Sequence, residues 1–207
     1  SRSRSTAALW ATITAMAAPP DRSSAGRSGS RASGRSYGGV PAEVRVAQRR
    51  DRFLDAGLEL FGTRGYQSTS VRAVCREAGL SERYFYESFA NTEALLIGVY
   101  QHCTERMHDD ILVAMATGDR PAGDSSAEPL DHVVRTTLEA FYASVSDPRV
   151  LRVCWLEVLG VSTLVDSTYI SGIDRFAHLV ATVMAETFGL SPDERLRLIA
   201  TGLVGSV

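Results

Sequence analysis

Between Gly79 and Phe89 the chain reads "GLSERYFYESF", with charged and aromatic side chains interleaved at nearly every position. In a helix, Phe85 and Phe89 stand four residues apart and share one face. If that face is buried, Glu82, Arg83, Tyr84, Tyr86, Glu87 and Ser88 remain outside. Their chemistry is hydrogen bonding to a fixed polar surface. Arginine offers a fork to guanine O6 and N7, glutamate accepts from cytosine N4, and hydroxyls donate to phosphate. Nothing elsewhere in the chain has the spacing of a reaction centre. There is no nucleophile elbow, no phosphate-cradling glycine loop and no dinucleotide fingerprint. His102, His108, His132 and His178 form no His-x-x-x-His pair, and no cysteine stands at zinc-ligand spacing. The expectation is of no enzyme activity, no metal and no cofactor.

Helices must position these residues. From Val44 onward, Val46, Phe53, Leu54, Gly57, Leu58 and Phe61 recur on one helical face, and Gly65 is expected to end that helix in a left-handed conformation. Thr69 or Ser70 caps a second helix over 70–78, with Val71, Val74 and Cys75 inward. Gly79 makes the turn, and Ser81 caps a third helix with Leu80 and Phe85 as its hydrophobic staple. Asn91 caps a long fourth helix carrying Leu95, Leu96, Val99, Cys103, Met107 and Ile111. After a polar loop at 117–128, helix signals run over 129–146, restart at Asp147-Pro148 and continue to about Val165. Another helix covers about 168–188 and closes at Gly189. "SPDE" at 191–194 reads as a capping box with Pro192 at the first helical position. The final helix is apolar at Leu196, Ile199, Leu203 and Val204. No strand-length alternation appears, so the predicted fold is all-α.

Charge is distributed unevenly along the 207 residues, although the net value is only −2. Residues 1–40 hold six arginines against Asp21 alone, residues 41–95 are balanced, and residues 96–207 are acidic. The start is rich in Ser, Arg and Gly without periodicity and reads as a disordered leader over 1–43, part of it ahead of a natural start at Met16. Its composition also has something of a transit peptide. Cys75, Cys103 and Cys154 are odd in number and set in apolar patterns, as buried thiols of a reducing compartment are. No apolar run approaches a membrane span, so a soluble cytoplasmic protein without a membrane partner is expected.

Helix 70–78, the glycine turn and helix 82–89 form a helix-turn-helix, whose first helix crosses the DNA backbone and whose second enters the major groove. Residues 49–95 resemble the DNA-binding domain of the tetracycline-repressor (TetR) family. The resemblance is carried by Ala56, Leu60, Phe61, Gly65 and Tyr66, by "TSVR" at 69–72, by "EAGLS" at 77–81, and by Tyr86, Phe89, Glu93 and Leu95. It implies an N-terminal three-helix DNA-binding head at 44–91. A C-terminal helical bundle at 92–207 would bind ligand and dimerise.

The resemblance further implies a homodimeric regulator, usually a repressor, that releases a palindromic double-stranded operator when an unknown small-molecule effector binds. Arg72 is then placed for a guanine edge or a phosphate, and Arg83 and Tyr84 for bases. Tyr86, Thr69 and Ser70 are placed for phosphates, within an expected contact set that also holds Ser81, Glu82, Glu87 and Thr92. Thr92 stands where the family usually has a phosphate-clamping lysine, and Glu82 and Glu87 bring negative charge to the groove. Both departures predict weak attraction to the DNA backbone, which the Arg-rich leader would offset. Phe141, Cys154, Trp155, Glu157, Tyr169, Phe176 and His178 are the expected pocket lining, and the last two helices the dimer surface. The final helix stops after about four turns, shorter than the family's usual one, as in a fragment or a shortened dimer. The alternatives are an activator, a family member without an effector, and a helical protein-interaction module.

Overall fold

The computed structural model describes residues 41–117, 129–191 and 193–205. The expected leader up to residue 40, the loop at 118–128 and Pro192 lie outside the described residues. The rest is helical: α1 (Ala42–Arg64), α2 (Val71–Ala78), α3 (Glu82–Ser88), α4 (Thr92–Thr117), α5 (Pro129–Ser144), α6 (Pro148–Arg152), a π-helical turn (Val153–Glu157), α7 (Thr163–Phe188) and α8 (Glu194–Gly205). No strand occurs among the described residues, in agreement with the all-α expectation. No described helix is long and apolar enough to cross a membrane.

The three-helix head forms because α1 buries Phe53, Leu54, Leu60 and Phe61 in one cluster with Val74 and Cys75 of α2 and Phe85 of α3. Phe53 receives the edges of Phe85 and Phe89, with ring centroids at 5.5 and 6.4 Å, so the two phenylalanines of "GLSERYFYESF" anchor α3 from behind. Val46 departs from expectation: residues 41–48 are exposed throughout. Ser70 caps α2 by accepting from the Ala73 N–H, and Gly79 (φ 62°, ψ 36°) takes the left-handed turn before α3. Ser81 holds the capping position of α3, but its side chain makes no capping hydrogen bond. Asn91 caps α4 through Ala94 N–H at 2.8 Å.

The head does not end at a seam. Its buried phenylalanines share one cluster with Leu95, Val99 and Cys103 of α4, with Val153, Cys154 and Val158 of the π turn, and with Val165. All three cysteines are free and buried. The Cys103 and Cys154 thiols hydrogen-bond to each other, which lowers the pKa of the first and raises that of the second. Gly62 is where α1 meets α6: a Cβ there would lie 2.7 Å from the Arg149 Cα.

Three expected boundaries are corrected. Gly65 does end α1 with a positive φ of 89°, but ψ of 156° is extended and not left-handed helical. Its successor, Tyr66, is thereby turned to donate its N–H to the Glu157 carboxylate. The helix restarted by Asp147-Pro148 does not reach Val165. It passes into a π turn and stops at Gly160 (φ 68°), and Ser162 caps α7 by accepting from Val165 N–H. At the start of α8 the cap is Asp193, accepting from Leu196 N–H at 2.9 Å, and not Ser191.

Candidate nucleic-acid interface

The outward face of the helix-turn-helix is built from the first turn of α2 and from α3. Arg72 and Arg83 have side chains 90% and 83% exposed. Tyr86 is 58% exposed and rests edge-on against the buried Phe85, so its hydroxyl points away from the core. Ser81, Glu82 and Glu87 are exposed, Thr92 is half-buried, and Ser70 is exposed with its O–H still able to donate. Tyr84, 37% exposed, lies under the Arg49 guanidinium, 4.5 Å from its ring centroid.

Thr69 is a correction. Its N–H donates to the Tyr66 carbonyl and its hydroxyl to the Gly65 carbonyl at 2.8 Å, and the residue is buried. Both donors expected for a phosphate are spent inside the turn that follows α1.

The exposed charges on this face are paired among themselves. Arg72 Nε lies 3.6 Å from Glu82 Oε1, Arg83 Nε donates to Glu87 Oε1 at 3.1 Å, and Arg49 stands 4.0 Å from Glu87. Exposed pairs of this kind contribute about 0–1 kcal/mol each to stability, so duplex contacts can replace them cheaply. Burial, and after it the charge of Glu82, raise the pKa of the Cys75 thiol.

Sequence reasoning missed the arginines that brace this unit. Arg52 donates to the Ala78 carbonyl at the end of α2, and Arg50 to the Ser88 carbonyl at the end of α3 while lying over the Phe89 ring. Helix ends leave carbonyls unsatisfied and carry partial negative charge, which a cation offsets. The signal was "RRDR" at 49–52 opposite a helix with no basic residue in its last turn.

The seven expected pocket residues do not converge. Phe141, Trp155 and Phe176 pack around the buried cluster of Met107, Ile111, Leu112, Met115 and Leu179. Cys154 and Tyr169 belong to the cluster shared with the head, and His178 is exposed. Glu157 is committed elsewhere: it accepts from Tyr66 N–H at 2.7 Å and from Arg152 Nε at 2.8 Å, while Arg152 donates to the Thr63 carbonyl. The one carboxylate of the expected pocket lining is therefore a link between the bundle and the end of α1. A polar cleft opens between α4 and α7, lined by Tyr100, Thr104, Ser171 and Arg175 among others, and none of the seven lines it.

Residues 53–99, which run from Phe53 through the helix-turn-helix into α4, match the model of the bacterial regulatory proteins of the tetR family. The HTH-type transcriptional regulator YuxN of Bacillus subtilis (strain 168) is 31% identical over 76 residues, which are 37% of this chain and only 26% of that protein's length. Among solved structures, the fatty acid degradation regulator FadR of Bacillus halodurans aligns with a TM-score of 0.58 at 18% identity, over 76% of this chain and 85% of its own. A TetR-like transcriptional regulator from Rhodococcus sp. RHA1 aligns with a TM-score of 0.53 at 23% identity, over 77% and 80% of the two chains. At such identities the structural likeness is one of fold.

Proposed function

We propose, from the match of residues 53–99 to the tetR-family model and the likeness to YuxN, that this chain is a TetR-family repressor which binds a palindromic operator as a dimer and is released by a small molecule. The head, residues 44–91, does the reading, and residues 92–207 hold the dimer surface and the effector site. One observation carries this reading: Phe85 and Phe89 are buried while Arg83, Tyr86 and Arg72 project on the opposite side. A buried anchor behind exposed hydrogen-bonding groups is what a helix in a major groove needs.

Dimerisation is supported by α8. Leu196, Ala200 and Val204 pack with Ala177, Ala181 and Ala185 of α7, while Leu198, Ile199 and Leu203 are 66, 54 and 51% exposed. A second copy laid against these exposed apolar side chains is their simplest cover. Effector response is supported by the aromatic set Phe141, Trp155 and Phe176, which an apolar ligand could part, and by the polar link from Glu157 and Arg152 to the end of α1. Ligand releases DNA only if it binds the two head positions with different affinity.

The test is fluorescence anisotropy on a duplex from the flank of the protein's own gene and on a scrambled duplex, at two salt concentrations. Preference for the first, weakening as salt rises, supports the reading. Equal, salt-insensitive binding would favour a protein-interaction module.

A further inference from the structure

Arg72 and Glu82 come from different helices, one from the first turn of α2 and the other opening α3, and meet across the Gly79 turn. Arg72 Nε approaches Glu82 Oε1 to 3.6 Å, longer than a hydrogen bond, and the Arg72 side chain is 90% exposed, so its guanidinium is open to solvent. Both side chains are exposed on the face that holds Arg83 and Tyr86. The pair is too open to matter for stability, and a carboxylate beside a duplex repels phosphates unless it finds a donor.

The major-groove edge of a G·C pair presents two acceptors and then a donor: guanine N7 and O6, then the cytosine N4 amino group. An arginine fork satisfies the acceptors, and a carboxylate held beside it accepts from the amine. An A·T pair presents acceptor, donor, acceptor, so the same fork meets an amino group where it needs an oxygen. We propose that Arg72 and Glu82 act as one composite reader of a single G·C base pair in each half-site. Glu82 is then a specificity-determining residue and not a charge to be overcome. It replaces backbone attraction with discrimination, because a wrong base pair leaves it unpaired near phosphates. Arg83–Glu87 differs in kind: it lies within one helix, at spacing i, i+4, and Glu87 also faces Arg49.

This inference rests on the DNA-binding reading above, and its test separates the two. The full chain, Arg72→Ala, Glu82→Ala and the double variant are each used to enrich binders from a duplex library with a randomised central segment. Melting temperatures confirm that the variants, all at exposed positions, remain folded. The wild type is expected to enrich a site in which replacing one G·C pair per half-site weakens binding roughly ten- to a hundredfold. Each single variant should lose its preference at that same pair and no other, and the double variant should discriminate no less than the poorer single. Loss of preference at different pairs in the two variants overturns the composite reader. So does a Glu82→Ala protein that keeps the wild-type site and merely binds all duplexes more tightly. A wild type that enriches nothing removes the DNA-binding reading, and this inference with it.

Discussion

Arg52 and Tyr86 separate the two jobs a side chain has in the head. Arg52 donates through its guanidinium to the Ala78 carbonyl where α2 ends. Arg52→Ala should therefore cost about 1–3 kcal/mol of stability, read as a lower melting temperature, and weaken binding by letting α2 and α3 drift. Tyr86→Phe keeps the ring against Phe85 and loses only the hydroxyl. It should leave the melting temperature unchanged and weaken all duplexes about equally, the signature of a lost phosphate contact. The burial of Phe85 and Phe89 was legible because two aromatics four apart define a face by themselves. The roles of Arg50 and Arg52 were not, because spacing within α1 does not say which carbonyls of other helices lie opposite. Thr69 misled for a similar reason: its hydroxyl finds Gly65, whose extended positive-φ conformation no local pattern announced.

Between α5 and α7 the chain makes a short helix, a π turn and a glycine stop, and this element connects the bundle to the head. Asp147 starts it, accepting from Arg149 N–H and pairing with the Arg149 guanidinium, which also reaches Glu59 of α1 at 2.7 Å. Those hydrogen bonds hold the Asp147 carboxyl below its usual pKa of 3.8. A carboxyl whose pKa falls on folding adds stability above its unfolded value, and that stability is lost as pH drops through the folded one. Asp147→Ala should thus destabilise by about 1 kcal/mol at neutral pH, with the gap to wild type closing below about pH 3.8, measured by denaturant unfolding across pH. Gly62→Ala forces a methyl against the Arg149 backbone and should lower stability by about 1–3 kcal/mol. The Asp147-Pro148 start was readable in full, since both residues have the chemistry the position demands. The stop at Gly160 and restart at Ser162 had their signals in "GVST" too, but the apolar pattern continues on both sides and conceals a break of a few residues.

For the whole molecule, the proposed dimer depends on how α8 divides its apolar side chains between packed and exposed positions. Leu196, Ile199, Leu203 and Val204 looked like one apolar set, yet the inward row is Leu196, Ala200 and Val204, with an alanine at its centre. Reading only large side chains hid that row and merged the inner face with the outer. If the proposed dimer forms through α8, the double substitution Leu198→Glu, Ile199→Glu should leave the fold intact and convert it to a monomer in sedimentation or light scattering. Residues of the proposed effector site were the least legible part, because an aromatic on an amphipathic helix has the same pattern whether it lines a cavity or fills the core. The central claim is narrower than any of this: the outward side of α3 reads a duplex. Its most direct test is the affinity of Arg83→Ala for the wild-type-selected duplex and for a scrambled one, at matched salt. The account predicts a loss of roughly 1–3 kcal/mol on the selected site alone, with scrambled DNA bound nearly as before. Equal losses on both duplexes, or none on either, would contradict it.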